Sequence, residues 1–202
     1  MPGGTPTAIE PPRPDLRQDG RPPSRGGRAT LIVLAVMLVI VLGGYVVAAA
    51  LAAPTGPAAS VGGVVSVRPL AGWAVAQRGT LGGYPFVRLT RGNANLDVVV
   101  ISPAEGTAGQ VATEYARDVL SRQLDQLSVS PHLEAVRLPS GLQSVRFGYV
   151  GVAQTGASIE GEVTVVVTPG GHGVVFDGWG PAGVLSFERS DIETMIDRAA
   201  VS

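Results

Sequence analysis

The sequence predicts an α+β domain, an antiparallel sheet with two helices packed on it, preceded by one transmembrane helix. Three observations predict it. An uncharged apolar run near the N-terminus is long enough to cross a bilayer. Beyond it, Val-rich segments with strand character come in groups separated by glycine turns. Two segments show helical spacing, and they are segregated from the strands instead of alternating with them.

Residues 1–28 hold Pro2, Pro6, Pro11, Pro12, Pro14, Pro22 and Pro23, with little apolar content. Such a segment buries too little surface to offset its ordering entropy, so a disordered tail is expected. Pro11-Pro12-Arg13-Pro14 favours the extended polyproline conformation. The transmembrane helix is expected over 29–53. No charge falls between Ala29 and Val67, and Pro54 and Gly56 end the run. At 1.5 Å per residue, about 20 apolar residues cross a hydrocarbon core of ~30 Å. Arg13, Arg17, Arg21, Arg25 and Arg28 all precede the span, and the next Arg is Arg68. Positive charge is retained inside, so the tail is expected in the cytoplasm and the rest outside the plasma membrane. Ala48-Ala49-Ala50 resembles a signal-cleavage site, but the apolar run exceeds the roughly 7–15 residues of a secretory signal, which favours an uncleaved anchor. Gly44, Ala48 and Ala52 share one helix face, the spacing of close helix pairing, and make a helix-mediated homodimer a candidate assembly.

A small-residue linker is expected over 54–63, and the extracytoplasmic domain over 64–202. Val64–Arg68 reads as a strand, Pro69–Gly72 as a turn, and Trp73–Arg78 as the returning strand. Gly79, Gly82 and Gly83 mark a loop. Phe86–Thr90 alternates, Asn93–Asn95 turns, and Leu96–Ile101 has the continuous β-branched character of a central buried strand. Thr107 with Gln110 forms a capping box, followed by Val111, Tyr115, Val119, Leu120, Leu124 and Leu127 at helical spacing. Asp118 and Arg122 sit at i, i+4, a favourable pair on a helix. A meander follows: His132–Leu138, then Leu142–Val152 with Val145, Phe147 and Tyr149 on one face. Ser158–Thr168 then pairs across Pro169-Gly170-Gly171 with Gly173–Gly180. A second capping box at Ser190 and Glu193 opens the closing helix, with Ile192, Met195, Ile196 and Ala199 as its apolar stripe.

The composition excludes several chemistries. A net charge of −1 gives no basic surface to displace the counterions of nucleic acid. The absence of Cys removes disulfides, thiolate metal sites, a catalytic thiol and a lipid on cysteine. Every basic side chain except the two His is Arg, which with the abundance of Gly, Ala and Val marks a high-GC, actinobacterial codon bias.

An opening strand that runs into the Pro69–Trp73 turn (Pro-x-x-Gly-Trp), then further strands, an amphipathic helix, a meander and a terminal helix resembles the PsbP-like fold, named for an extrinsic photosystem II subunit. The same order is similar to actinobacterial envelope lipoproteins of the LpqN type. The resemblance covers roughly 64–200 and implies an extracytoplasmic adaptor or ligand-binding role with no shared catalytic centre. This chain departs from those lipoproteins in lacking a lipidated Cys and carrying a helix anchor.

Candidate functional residues are few. His132 and His172 are separated in sequence, too sparse a set for a metal site, and no cofactor is expected. Neither Gly-x-Ser-x-Gly nor His-Glu-x-x-His occurs. Glu160 and Glu162, two apart on one strand, are the acidic pair a hydrolase would use, and a solvated strand face is the commoner role of such a pair. Trp73 and Trp179 are the candidate binding residues, with Asp177 two positions before Trp179 on the same strand face. The sequence thus predicts a non-catalytic envelope adaptor that is anchored in the lipid bilayer and binds a protein or small envelope molecule. A structural accessory subunit of a membrane assembly, such as a secretion system, is the alternative, and a hydrolase the weaker one.

Overall fold

The computed structural model describes residues 37–41 and 56–202. Residues 37–41 are helical and apolar, and no helix among the described residues is long and apolar enough to cross a membrane. The expected tail over 1–28, and the expected span over 29–53 apart from 37–41, lie outside the described residues.

The domain is built on an eight-stranded sheet. Its strands are β3 (Ala74–Leu81), β4 (Tyr84–Arg91), β5 (Ala94–Ile101), β6 (Leu124–Val129), β7 (Glu134–Arg137), β8 (Gln143–Ala153), β9 (Ser158–Val167) and β10 (Gly173–Pro181). They run in the order β3-β4-β5-β10-β9-β8-β6, with β7 also on β8. Every pairing is antiparallel. A second sheet joins β1 (Ala59–Val61), β2 (Val65–Val67) and β11 (Ala200–Val201). On one face of the large sheet lie α1 (Ala108–Tyr115), a π-helical turn over Ala116–Leu120 and a last short turn, α2 (Ser121–Gln123). On the other lie α3 (Leu185–Asp197) and the small sheet. This is the α+β antiparallel architecture read from the segregated pattern.

The central strands are covered on both faces, so their alternation sorts two cores. Leu96, Val98 and Val100 face α3 and the small sheet, with Val174, Phe176, Ile192 and Met195. Val99 and Ile101 face α1, with Val111, Tyr115, Val175 and Phe147. This double covering is why Leu96–Ile101 reads as continuously apolar. The one charge in it, Asp97, is 1% exposed.

Four sequence expectations are corrected. First, the segment expected as linker over 54–63 contains β1, whose Ala59 and Val61 are buried. It pairs with β2, which also carries β11, and Ser202 N–H donates to Val64 O at 2.9 Å. Both ends of the domain close over the same core there. Second, β3 does not return along β2. It pairs with β4 through the tight Gly82-Gly83 turn, where Gly82 at φ +60° meets Val119 of the π-helical turn.

Third, the helix begun at Thr107 stops at Gln123, and Leu124 and Leu127 belong to β6. The wider π-helical turn brings both Val119 and Leu120 onto the sheet and rotates the positions beyond it. Asp118 therefore pairs with its neighbour Arg117, at 2.7 Å, and not with Arg122. Fourth, α3 starts at Leu185, directly after the turn in which Val184 N–H donates to Pro181 O. Ser190 thus lies inside the helix and caps nothing; its carbonyl accepts the Thr194 hydroxyl at 2.7 Å. The apolar stripe stands for Ile192, Met195 and Ile196, all buried, whereas Ala199 is buried beyond the end of the helix at Asp197. The Thr107 box also stands: its hydroxyl accepts Gln110 N–H, and Gln110 Oε1 accepts Thr107 N–H at 2.7 Å.

Candidate functional site

The registers of β4, β5 and β10 place Arg88 opposite Asp97, and Asp97 opposite Asp177. All three side chains rise on the α1 face, so a row of charges crosses the middle of a Val-rich sheet. Burying charge costs several kcal/mol per ion unless it is paired and hydrogen-bonded. Arg88 meets that condition for Asp97: Nε donates to Oδ1 and Nη2 to Oδ2, each at 2.7 Å, the bidentate fork that suits a carboxylate. The guanidinium lies 4.9 Å from the centre of the Trp179 ring and 5.8 Å from that of Phe86. Trp179 Nε1–H also donates to Asp97 Oδ2 at 3.0 Å.

Asp177 is held differently. Its oxygens accept one hydroxyl each, from Tyr115 on α1 at 2.8 Å and from Tyr149 on β8 at 2.9 Å. Burial, followed by the nearby Asp97 charge, pushes its carboxyl up to about 7, against the two tyrosine hydrogen bonds and Arg88. Burial is also the main reason that both tyrosine hydroxyls titrate well above their ordinary range. The bond to Asp97 raises the Arg88 pKa further, so this cation keeps its charge.

Tyr149 reaches Asp177 because of a glycine. Tyr149 stands opposite Gly161 on β9, and Gly161 stands opposite Trp179 on β10. A Cβ on Gly161 would lie 2.2–2.4 Å from the ring atoms and hydroxyl of Tyr149. The ring therefore lies across the bare backbone of β9 and spans a whole strand.

Beside this cluster is a small, partly open cavity of about 140 Å³. Its polar wall is Arg88, Asp177, Tyr149, Trp179 and Gln123. Its apolar wall is Leu120, Leu124, Ala153 and Ile159. Gln123 and Leu124 line the cavity where the helical segment ends and β6 begins. The early stop of the helix, unexpected from the sequence, is what places Leu120, Gln123 and Leu124 around it.

The sequence-derived candidates separate. Asp177 and Trp179 both line this cavity. Trp73 belongs to the core on the other face, 4% exposed, and its indole N–H donates to Asp191 of α3 at 3.2 Å. Glu160 and Glu162 also project away from the cavity. Glu160 accepts Gly183 N–H at 2.9 Å, and Glu162 pairs with Arg146 and Arg189. His172 Nδ1 lies 2.9 Å from Ser102 Oγ on the exposed surface, tying the Gly170–Gly173 turn to the end of β5. Among the described residues no group of three or more His, Asp or Glu gathers to hold a metal.

Arg88, Asp97, Tyr115 and Tyr149 went unrecognised as site residues. One signal for them existed. A lone Asp in a run otherwise read as a buried central strand requires a partner. The alternating strand before it supplies one cation on the matching face, Arg88.

No family model and no curated protein matches the sequence. Among solved structures, the solution structure of the cyanobacterial PsbP protein CyanoP from Synechocystis matches with a TM-score of 0.51 at 17% identity, over 72% of this chain and 92% of that one. LpqN of Mycobacterium tuberculosis, described as involved in cell envelope biogenesis, matches with a TM-score of 0.48 at 10% identity, over 68% and 83%. The Ran-binding protein Mog1p of Saccharomyces cerevisiae gives 0.46 at 10%, over 74% and 96%. The likeness to CyanoP shows the PsbP-like fold, as the Pro69–Trp73 turn and the order of elements implied.

Proposed function

We propose that this chain is a non-catalytic binding module outside the plasma membrane of a high-GC bacterium. In this reading it is held there by the helix over 29–53, with its N-terminal tail inside, and binds a small envelope molecule. The observation that carries the binding role is the partly open cavity in which Arg88, Asp177, Tyr149 and Trp179 converge opposite an apolar wall. A few polar groups beside an apolar wall are the usual form of a small-molecule site; sites for drug-sized ligands span about 300–1,000 Å³, and this one suits a much smaller molecule. No Ser, Thr or His lines the cavity, which favours binding over chemistry. The anchor is supported by the uncharged run and its Arg-rich N-terminal flank. The helical residues 37–41 add support, since their apolar side chains are 59–67% exposed.

The test is native mass spectrometry of the full-length chain, gently extracted from its own membranes, beside an Ala153→Phe variant that fills the cavity. A small molecule that travels with the parent and is lost from the variant supports the reading. A parent that carries none, or a variant that keeps it, overturns it.

A further inference from the structure

The charge balance around the cavity names a ligand class. Arg88 is the cation of the cluster, and its fork is committed to Asp97 through two 2.7 Å hydrogen bonds. Its flat face is against Trp179. Asp177 is left with two neutral hydroxyls, those of Tyr115 and Tyr149. When ionised, Arg88, Asp97 and Asp177 together carry one net negative charge; Arg88 and Asp177 line the cavity, and the charge of Arg88 is answered by its pair with Asp97. A carboxylate oxygen accepts about two hydrogen bonds. Each oxygen of Asp177 accepts one from a tyrosine and keeps capacity for another.

An anionic ligand would compete with Asp97 for Arg88 while facing Asp177. A neutral ligand would leave ionised Asp177 with its two tyrosine hydroxyls alone. A cation answers it, and the negative faces of the Tyr149 and Trp179 rings act in the same direction. The opposite wall of Leu120, Leu124, Ala153 and Ile159 calls for a hydrocarbon portion. Liquid water takes about 30 Å³ per molecule, so the cavity holds on the order of five heavy atoms.

Resting on the reading of this cavity as the binding site, we propose that it takes a small organic cation, a primary amine with a short alkyl tail, its ammonium on Asp177 and its tail along Leu120, Leu124 and Ile159. The groups that face Asp177 are Arg88 from β4, Asp97 from β5, Tyr115 from α1 and Tyr149 from β8. Both tyrosine hydroxyls remain protonated through neutral pH, so Asp177 is the group whose ionisation the ammonium selects.

The test is calorimetric titration of the full-length chain in a non-ionic detergent with butylammonium, n-butanol and butyrate, at pH 6 and pH 8. With Asp177 titrating at about 7, its ionised fraction rises roughly tenfold over that interval. Butylammonium alone is expected to bind, about tenfold more tightly at pH 8, with release of close to one proton at pH 6 and almost none at pH 8. Asp177→Asn is expected to lose that binding while unfolding as cooperatively as the parent, and Ala153→Phe to lose it by occlusion. Butanol binding as well as butylammonium would leave the cavity as a binding site and sink the cation assignment. Butylammonium binding that survives either variant would place the amine elsewhere, with the same consequence. No binding of any of the three would remove the small-molecule reading along with the cation.

Discussion

Asp177 is the residue at which burial and charge compete most sharply. Its carboxyl rises from 3.8 to about 7 in the folded chain. A raised acid binds its proton more tightly folded than unfolded, so its contribution to stability is fully present below the unfolded value and is lost as pH rises to about 7. At 1.36 kcal/mol per unit, the amplitude is on the order of 4 kcal/mol. The free energy of unfolding from urea titrations is therefore expected to fall between about pH 4 and pH 7 from this residue. Asp177→Asn, which copies the protonated form, is expected to flatten that slope and to exceed the parent above pH 7; an unchanged slope would remove Asp177 as its source. Gly161 is the second residue with a sharp expectation. Gly161→Ala forces the Tyr149 ring off the strand, because the new methyl would sit within 2.4 Å of it. Overpacking of this kind costs about 1–3 kcal/mol. The loss is expected to shrink in a Tyr149→Leu background, a coupling that a double-mutant cycle measures.

At the scale of elements, local signals and tertiary ones divided the work. The Thr107 box formed as read, because a cap needs only the residues on either side of the helix start. Thr107→Ala is expected to cost about 1 kcal/mol in thermal or urea unfolding without altering the cavity. The Ser190 box has the same sequence form and is not a cap. The chain leaving β10 at Pro181 turns at once into α3, so helix has begun before Ser190 is reached. The acidic residues around it instead fasten the helix to the sheet: Asp191 and Glu188 to Arg91, and Glu193 to Arg146. The helix after Thr107 was overextended in the sequence reading for a related reason. Leu124 and Leu127 keep helical spacing, but Leu124 pairs with Ala153 at the edge of β8, and this pairing outweighs the local preference.

For the whole molecule, the expectation that remains to be measured is orientation. The chain has no Cys, so single cysteines report cleanly. Thr155→Cys, in the exposed turn between β8 and β9, is expected to react with a membrane-impermeant maleimide on intact cells, and Ser24→Cys only after lysis. The reverse pattern would invert the assignment. The fold class was legible because the periods of two and of 3.6 that separate strand from helix are written into consecutive side chains, and their grouping fixes an α+β arrangement. Asp177 and Trp179 were legible as a pair because two residues apart on a strand means one face. Trp73 looked equally promising, and nothing local says that its neighbours belong to the opposite core. The partners of Asp177 come from α1, β4, β5 and β8, up to 89 positions away along the chain in the case of Arg88. Strand order and register brought them together, and these are set by which hydrophobic faces find one another on folding. The sequence by itself determined the fold class, the uncharged N-terminal run and the absence of cysteine chemistry. Only the tertiary structure decided that Arg88 would pair with Asp97 while Asp177 took two tyrosine hydroxyls beside a small, partly open cavity, because that depends on pairings between residues far apart in the chain.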